Sequence, residues 1–128
     1  MSRFATLPLT RVDLPTLRAA LWTVRALRGA RRDLSRLGLE GARVVPPPPL
    51  PASARRGVLA VLRRVPNSCL ERALVLQRWE AAHDAGADVV IGVQGPGEGF
   101  VAHAWLESVP DGSSHAFREI LRLPAPTE

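Results

Sequence analysis

With a single cysteine, Cys69, the chain forms no internal disulfide, and a reducing cytoplasm is the expected compartment. No apolar run approaches the roughly 20 residues that cross a bilayer, and no signal peptide opens the sequence. No cysteine or histidine pair has metal-ligand spacing, so neither a metal nor another cofactor is expected. "GPGEG" (95–99) is too short and irregular for a phosphate-binding fingerprint, and it joins strand to strand. Lysine is absent as well: all seventeen basic residues are arginine, a bias that a GC-rich coding sequence produces by itself.

What remains is an ordinary soluble composition, 46% hydrophobic and 23% charged, in 128 residues. That is enough chain for one compact domain with a real core. The net charge of +5 hides an asymmetry. Residues 1–66 carry thirteen arginines against three acids, whereas residues 67–128 carry four arginines against nine acids. The basic half suits an acidic partner, a nucleic acid or plain solvent.

Asp13 followed by Pro15 predicts a helix start, and Leu17, Leu21, Val24 and Leu27 recur at helical spacing as its apolar stripe, with Gly38 and Gly41 to end it. "VVPPPPLPAS" (44–53) reads as a stiff polyproline connector. Residues 1–50 thus form an Arg-rich helical segment with its connector, and 51–128 the remainder of a single compact domain. Ser53 is the predicted cap of a second helix that stops at Pro66. Asn67 or Ser68 caps a third, from Cys69 to His83 or Asp84, with Gly86 as its stop. Its apolar positions cover more than half the circumference, which predicts a buried helix. Strands follow at 87–94, 100–109 and 115–123. The order predicts an α+β fold, helices first and then a small antiparallel sheet.

Cysteine nucleophiles act as thiolates, favoured at helix N-termini, beside imidazoles and with partial exposure. Cys69 opens a helix, so either a nucleophile or a core-packed thiol fits. Of the three histidines, His83 lies fourteen residues along the same helix, roughly 20 Å away and out of reach. His115 lies near the last turn. His103 sits inside the apolar strand "FVAHAWLE", an odd place for a half-polar ring without a purpose.

"CLERALVLQRW" followed by "HAWLE" and "FREILRLPAP" resembles the transglutaminase-like, papain-like cysteine peptidases that mature lasso peptides. The family helix reads close to C-L-x-R-[AS]-L-x-L-x-x-L, matched by Cys69, Leu70, Arg72, Ala73, Leu74 and Leu76. Its histidine strand reads A-H-A-W-V-E, matched by Ala102, His103, Ala104, Trp105 and Glu107. The likeness covers about residues 55–126. It implies a leader peptidase in which Cys69 attacks the scissile carbonyl and His103 serves as base, then as acid to the leaving amine. The Cys69 backbone N–H would donate to the oxyanion, with Asn67 or Gln77 as possible side-chain donors.

Relatives carry an aspartate about a dozen residues after the histidine, where this chain has His115. "VPDG" (109–112) suits a three-residue hairpin between the last two strands. In that register His103 faces Glu119, Glu107 faces His115, and Trp105 opposes Phe117. Glu119 is therefore the expected orienting carboxylate, with Asp111 as the alternative. Glu107 is roughly 13 Å from His103 along one strand and too far.

The resemblance also implies partners: a precursor peptide, a macrolactam synthetase and, because too little chain precedes the matching region for a leader-recognition domain, a separate recognition protein. The Arg-rich helix (Arg18, Arg25, Arg28, Arg31, Arg32, Arg36) is a candidate docking surface. Two other readings stand beside it: an acyl transferase with the same site, and an Arg-rich nucleic-acid-binding module. The second lacks a recognised motif and interleaved exposed aromatics, so nucleic acid is not expected as a partner, and no membrane span is expected.

Overall fold

The Asp13 side chain accepts the Thr16 N–H at 3.0 Å, and the helix it caps, α1 (Leu14–Leu37), begins with Pro15 in its first turn. The computed structural model describes residues 13–94, 101–109 and 116–126. In chain order follow α2 (Arg55–Arg64), α3 (Cys69–Ala81), β1 (Val89–Gln94), β2 (Val101–Leu106) and β3 (Arg118–Leu123). Three helices and then a three-stranded antiparallel sheet make the α+β architecture expected. Among the described residues, no helix is long and apolar enough to cross a membrane.

The buried face of α1 is not the expected leucine stripe. Leu17 and Leu21 are 54% and 52% exposed, while Ala19, Trp22, Thr23, Ala26, Leu27 and Ala30 face inward. Hydrophobicity favours the leucines, but small residues let a neighbouring helix come close. Gly57 of α2 shows how close: a Cβ there would overlap the Thr16 carbonyl. The proline run is laid on the core rather than held off it. Val44 and Leu50 pack against the cluster, and the Trp22 indole N–H donates to the Val45 carbonyl at 3.1 Å. Ser53 is not a cap. It lies in a 3-10 turn (Ala52–Ala54) whose closing bond, Ala54 N–H to Pro51 O at 3.0 Å, leaves its side chain no such task. Val65, extended as residues before proline tend to be, ends α2 as anticipated.

Ser68 caps α3 in a reciprocal box: its hydroxyl accepts the Glu71 N–H and Glu71 accepts the Ser68 N–H, each at 3.1 Å. Arg31 of α1 then grips the same carboxylate with two N–H groups, at 3.1 and 3.2 Å, and donates to the Pro66 carbonyl at 2.9 Å. One member of the proposed basic docking surface is thus committed to an ion pair within the fold, though it is exposed, as are Arg18, Arg25, Arg28, Arg32 and Arg36. At the far end Asp84, with φ 59°, takes the left-handed conformation expected of Gly86. An aspartate tolerates it because its short polar side chain bonds locally.

The Arg31 guanidinium holds the Glu71 carboxyl below the usual carboxylate range, against the opposing effect of burial. A carboxyl whose folded-state pKa is lowered contributes fully above its unfolded value and loses that contribution as pH falls through the folded one. Glu71→Gln is therefore expected to cost about 1–2 kcal/mol at neutral pH. Urea midpoints of variant and wild type should converge in acid; a gap that stays constant down through the carboxylate range would assign the cost to packing instead.

The sheet corrects the strand pairing. Its order is β2-β1-β3, so β2 and β3 both pair with β1 and not with each other. The hairpin inferred from "VPDG" does not form between them, and β2 ends at Leu106 with a tight turn, Val109 N–H to Leu106 O at 2.8 Å. β1 is central because its run Val89, Val90, Ile91 is the most apolar: Val89 and Val90 are 0% and 2% exposed. The core joins all layers, with Trp22 and Leu27 from α1, Val58 and Leu62 from α2, Val75 and Trp79 from α3, and Val89, Ala104 and Leu106 from the sheet.

Candidate active site

Cys69 is the first residue of α3 and is exposed. The first-turn N–H groups of a helix lack intrahelical partners, so its thiol sits at the positive end of the macrodipole beside a ready set of donors. β2 lies along α3, its Ala104 and Leu106 buried against the helix. His103 and Trp105 take the alternate positions, half-buried.

These elements enclose a cavity of about 360 Å³ lined by Cys69, Arg72, Ala73 and Leu76 of α3, residues 103–106 of β2, Val109, and Arg55 and Leu59 of α2. Four successive residues of β2 reach the cavity because no described strand covers that edge of the sheet. Cys69 and His103, singled out from sequence, are thereby brought to one cleft. His83 is far from it, at the other end of α3, with its ring stacked on Trp79 and its nitrogens against the Trp79 and Leu50 carbonyls at 2.8 and 2.9 Å.

The imidazole of His103 is placed by aromatics. Its ring stacks on Trp105 at 5.7 Å and tilts against Phe117 at 5.2 Å. Trp105 and Phe117 do meet, at 6.4 Å, but across an intervening strand rather than as direct neighbours. Gly92 makes this possible. It pairs with His103 on one side, and a Cβ on it would lie 3.0 Å from Phe117 Cβ and 3.1 Å from Trp105 Cη2. Sequence reasoning passed over Gly92, though a lone glycine inside "VVIGV" is a signal of close approach.

Glu119 is not brought to His103. Both residues pair with Gly92, from opposite sides, so their backbones stand two strand spacings apart, about 10 Å. Its carboxylate instead binds Arg122 at 2.6 and 3.1 Å, within a surface cluster in which Arg122 also holds Glu107 at 2.8 and 3.0 Å and Asp88 at 3.1 Å. Those bonds raise the Arg122 pKa and lower that of Glu107. Asp111 and His115 lie outside the described residues.

The side-chain oxyanion candidates are also committed elsewhere. Asn67 donates its amide to the Leu62 and Val65 carbonyls at 2.9 and 2.7 Å, closing the end of α2. Gln77 is buried and donates to Ala87 O and Leu123 O, tying α3 to the sheet. The Glu71 N–H is taken by the Ser68 hydroxyl, which leaves the Cys69 and Leu70 N–H groups at the start of α3 as the backbone candidates.

Comparison with curated proteins and with solved structures finds no match. The family model of the transglutaminase-like superfamily matches residues 9–122, taking in α1 as well as the region around Cys69 and His103. A match over nearly the whole chain means that the protein belongs to the transglutaminase-like superfamily, which includes cysteine proteases and acyltransferases.

Proposed function

We propose that the protein is a cysteine peptidase that removes the leader segment of a ribosomal precursor peptide during lasso peptide maturation. The observation that carries the reading is the shared cleft: an exposed thiol at a helix N-terminus and a strand histidine line the same cavity. The motifs "CLERAL" and "AHAWLE" support the narrower assignment by their likeness to that peptidase family.

In this mechanism His103 takes the Cys69 proton and Sγ attacks the scissile carbonyl. The C–N bond breaks as the imidazolium protonates the leaving amine. Water, deprotonated by His103, then hydrolyses the thioester and releases the leader with a free carboxylate. Backbone N–H groups of the first turn of α3 stabilise the oxyanion in both steps. Glu119 is held by Arg122, so the role of orienting carboxylate passes to Asp111. A separate recognition protein delivers the precursor and a macrolactam synthetase closes the released core; the exposed arginines of α1 are the surface we assign to docking.

The test is incubation of the protein with a lasso precursor and recognition protein, the synthetase left out so that the core stays linear, with products read by mass. Two fragments whose masses sum to precursor plus one water support the peptidase. A leader fragment carrying an added amine would make the enzyme an acyl transferase instead, and an intact precursor would overturn both.

A further inference from the structure

We propose that the cleft beside Cys69 holds a carboxylate-binding subsite built on Arg72. Two arginines and no acid line the cavity, yet they differ in what they already hold. The Nε of Arg55 is paired with Glu80 at 2.7 Å. Arg72, one helical turn beyond Cys69 and half-buried, makes only a 3.4 Å contact with the Leu62 carbonyl and meets no carboxylate among the described residues. Elsewhere Arg31 is matched with Glu71, and Arg122 with three acids. A guanidinium drawn into an apolar wall loses hydration without recompense unless an anion joins it, and its planar fork suits a carboxylate.

The surrounding wall, Leu59, Ala73, Leu76 and Leu106, is apolar and strengthens such a contact by lowering the local dielectric. On the peptidase reading, which names the physiological ligand, the anion belongs to the substrate near the scissile bond. It is either the side chain of an aspartate or glutamate or a terminal carboxylate.

Because Cys69 is the single thiol, its alkylation reports on the subsite without any turnover. Iodoacetate and iodoacetamide react alike: Sγ displaces iodide, the C–I bond breaks as the S–C bond forms, and the thiol proton passes to buffer. Only iodoacetate presents a carboxylate. The ratio of the two rates, followed by intact mass, is expected to exceed that of a free cysteine peptide by about 5–10-fold at low salt. Arg72→Gln should return the ratio to the free-peptide value, and Arg72→Lys, which keeps the charge, should retain part of it. If Arg72 only activated the thiol, both reagents would slow together and the ratio would not change, which overturns the subsite.

Protection from iodoacetamide then separates the sources. Acetyl-glutamate amide offers only a side-chain carboxylate, and acetyl-glutamine acid only a terminal one. The one protecting at lower concentration identifies the ligand; protection by neither overturns the subsite even with a raised ratio. An intact precursor in the cleavage test together with a raised ratio would remove the peptidase reading and leave the subsite. An unchanged ratio with normal cleavage would do the reverse.

Discussion

Cys69→Ala is expected to reduce precursor cleavage by about 10⁴-fold or more while leaving the fold unchanged. The residue is exposed at the mouth of α3 and contributes nothing to the buried core, so loss of the thiol removes chemistry and not packing. His103→Ala should fall to a similar level, because base and nucleophile act as one unit: a thiol without its imidazole is mostly protonated at neutral pH. The double variant should then be no worse than either single one. His103 also packs between Trp105 and Phe117, so His103→Gln is the fairer replacement, keeping bulk in the aromatic stack while discarding the base. Circular dichroism and a urea midpoint on each variant establish that it is folded. Cleavage within tenfold of wild type by either folded variant would sink the nucleophile–base assignment.

Trp79→Ala is the substitution expected to damage the fold most. Trp79 is 1% exposed, heads the fully buried side chains by volume, and meets Trp22 of α1 at 5.9 Å and the His83 ring at 4.2 Å. Removing the indole leaves a cavity where α1 and α3 join, and such truncations cost about 3–5 kcal/mol. That is a large share of the roughly 5–15 kcal/mol by which domains are stable. Leu17→Ala is the matched control. By size and spacing Leu17 read as a core position, but at 54% exposure its loss should lie within about 0.5 kcal/mol. Urea midpoints at constant slope decide the matter, and equal shifts for the two variants would refute this account of the core.

That contrast shows where the sequence was readable. Some helix ends were, because they depend on local chemistry: Asp13 with Pro15, Val65 before Pro66, and Ser68, one of the two caps expected for α3; Ser53 and Gly86 were not. The thiol and the strand histidine were also legible, since a helix start and a ring within an apolar run can each be seen in a few residues. The rotation of α1 was not. Ala19, Ala26 and Ala30 face inward because α2 and α3 come close, a fact of tertiary packing that outweighs the pull of Leu17 and Leu21. Strand pairing failed for a related reason. "VPDG" carries genuine turn chemistry, but turn chemistry does not say which strand a chain returns to. The uninterrupted Val89–Val90–Ile91 run, the mark of a strand flanked on both sides, was the better guide to the centre of the sheet. Glu119 was placed beside His103 by that hairpin alone, and it goes to Arg122 once the hairpin is gone. The Arg31–Glu71 pair joins residues too distant in the chain for any local signal.

The same pair says something about where this molecule divides. Residues 1–50 carry nine arginines against three acids and the rest of the chain eight against nine, and the proline run between them invites a cut near residue 50. Yet the arginine that steadies the mouth of α3, under Cys69, reaches in from the other side of that run. A fragment starting at residue 51 would carry both the thiol and the imidazole and would lack the brace beneath the first. The change in composition falls inside the working unit, not along its border.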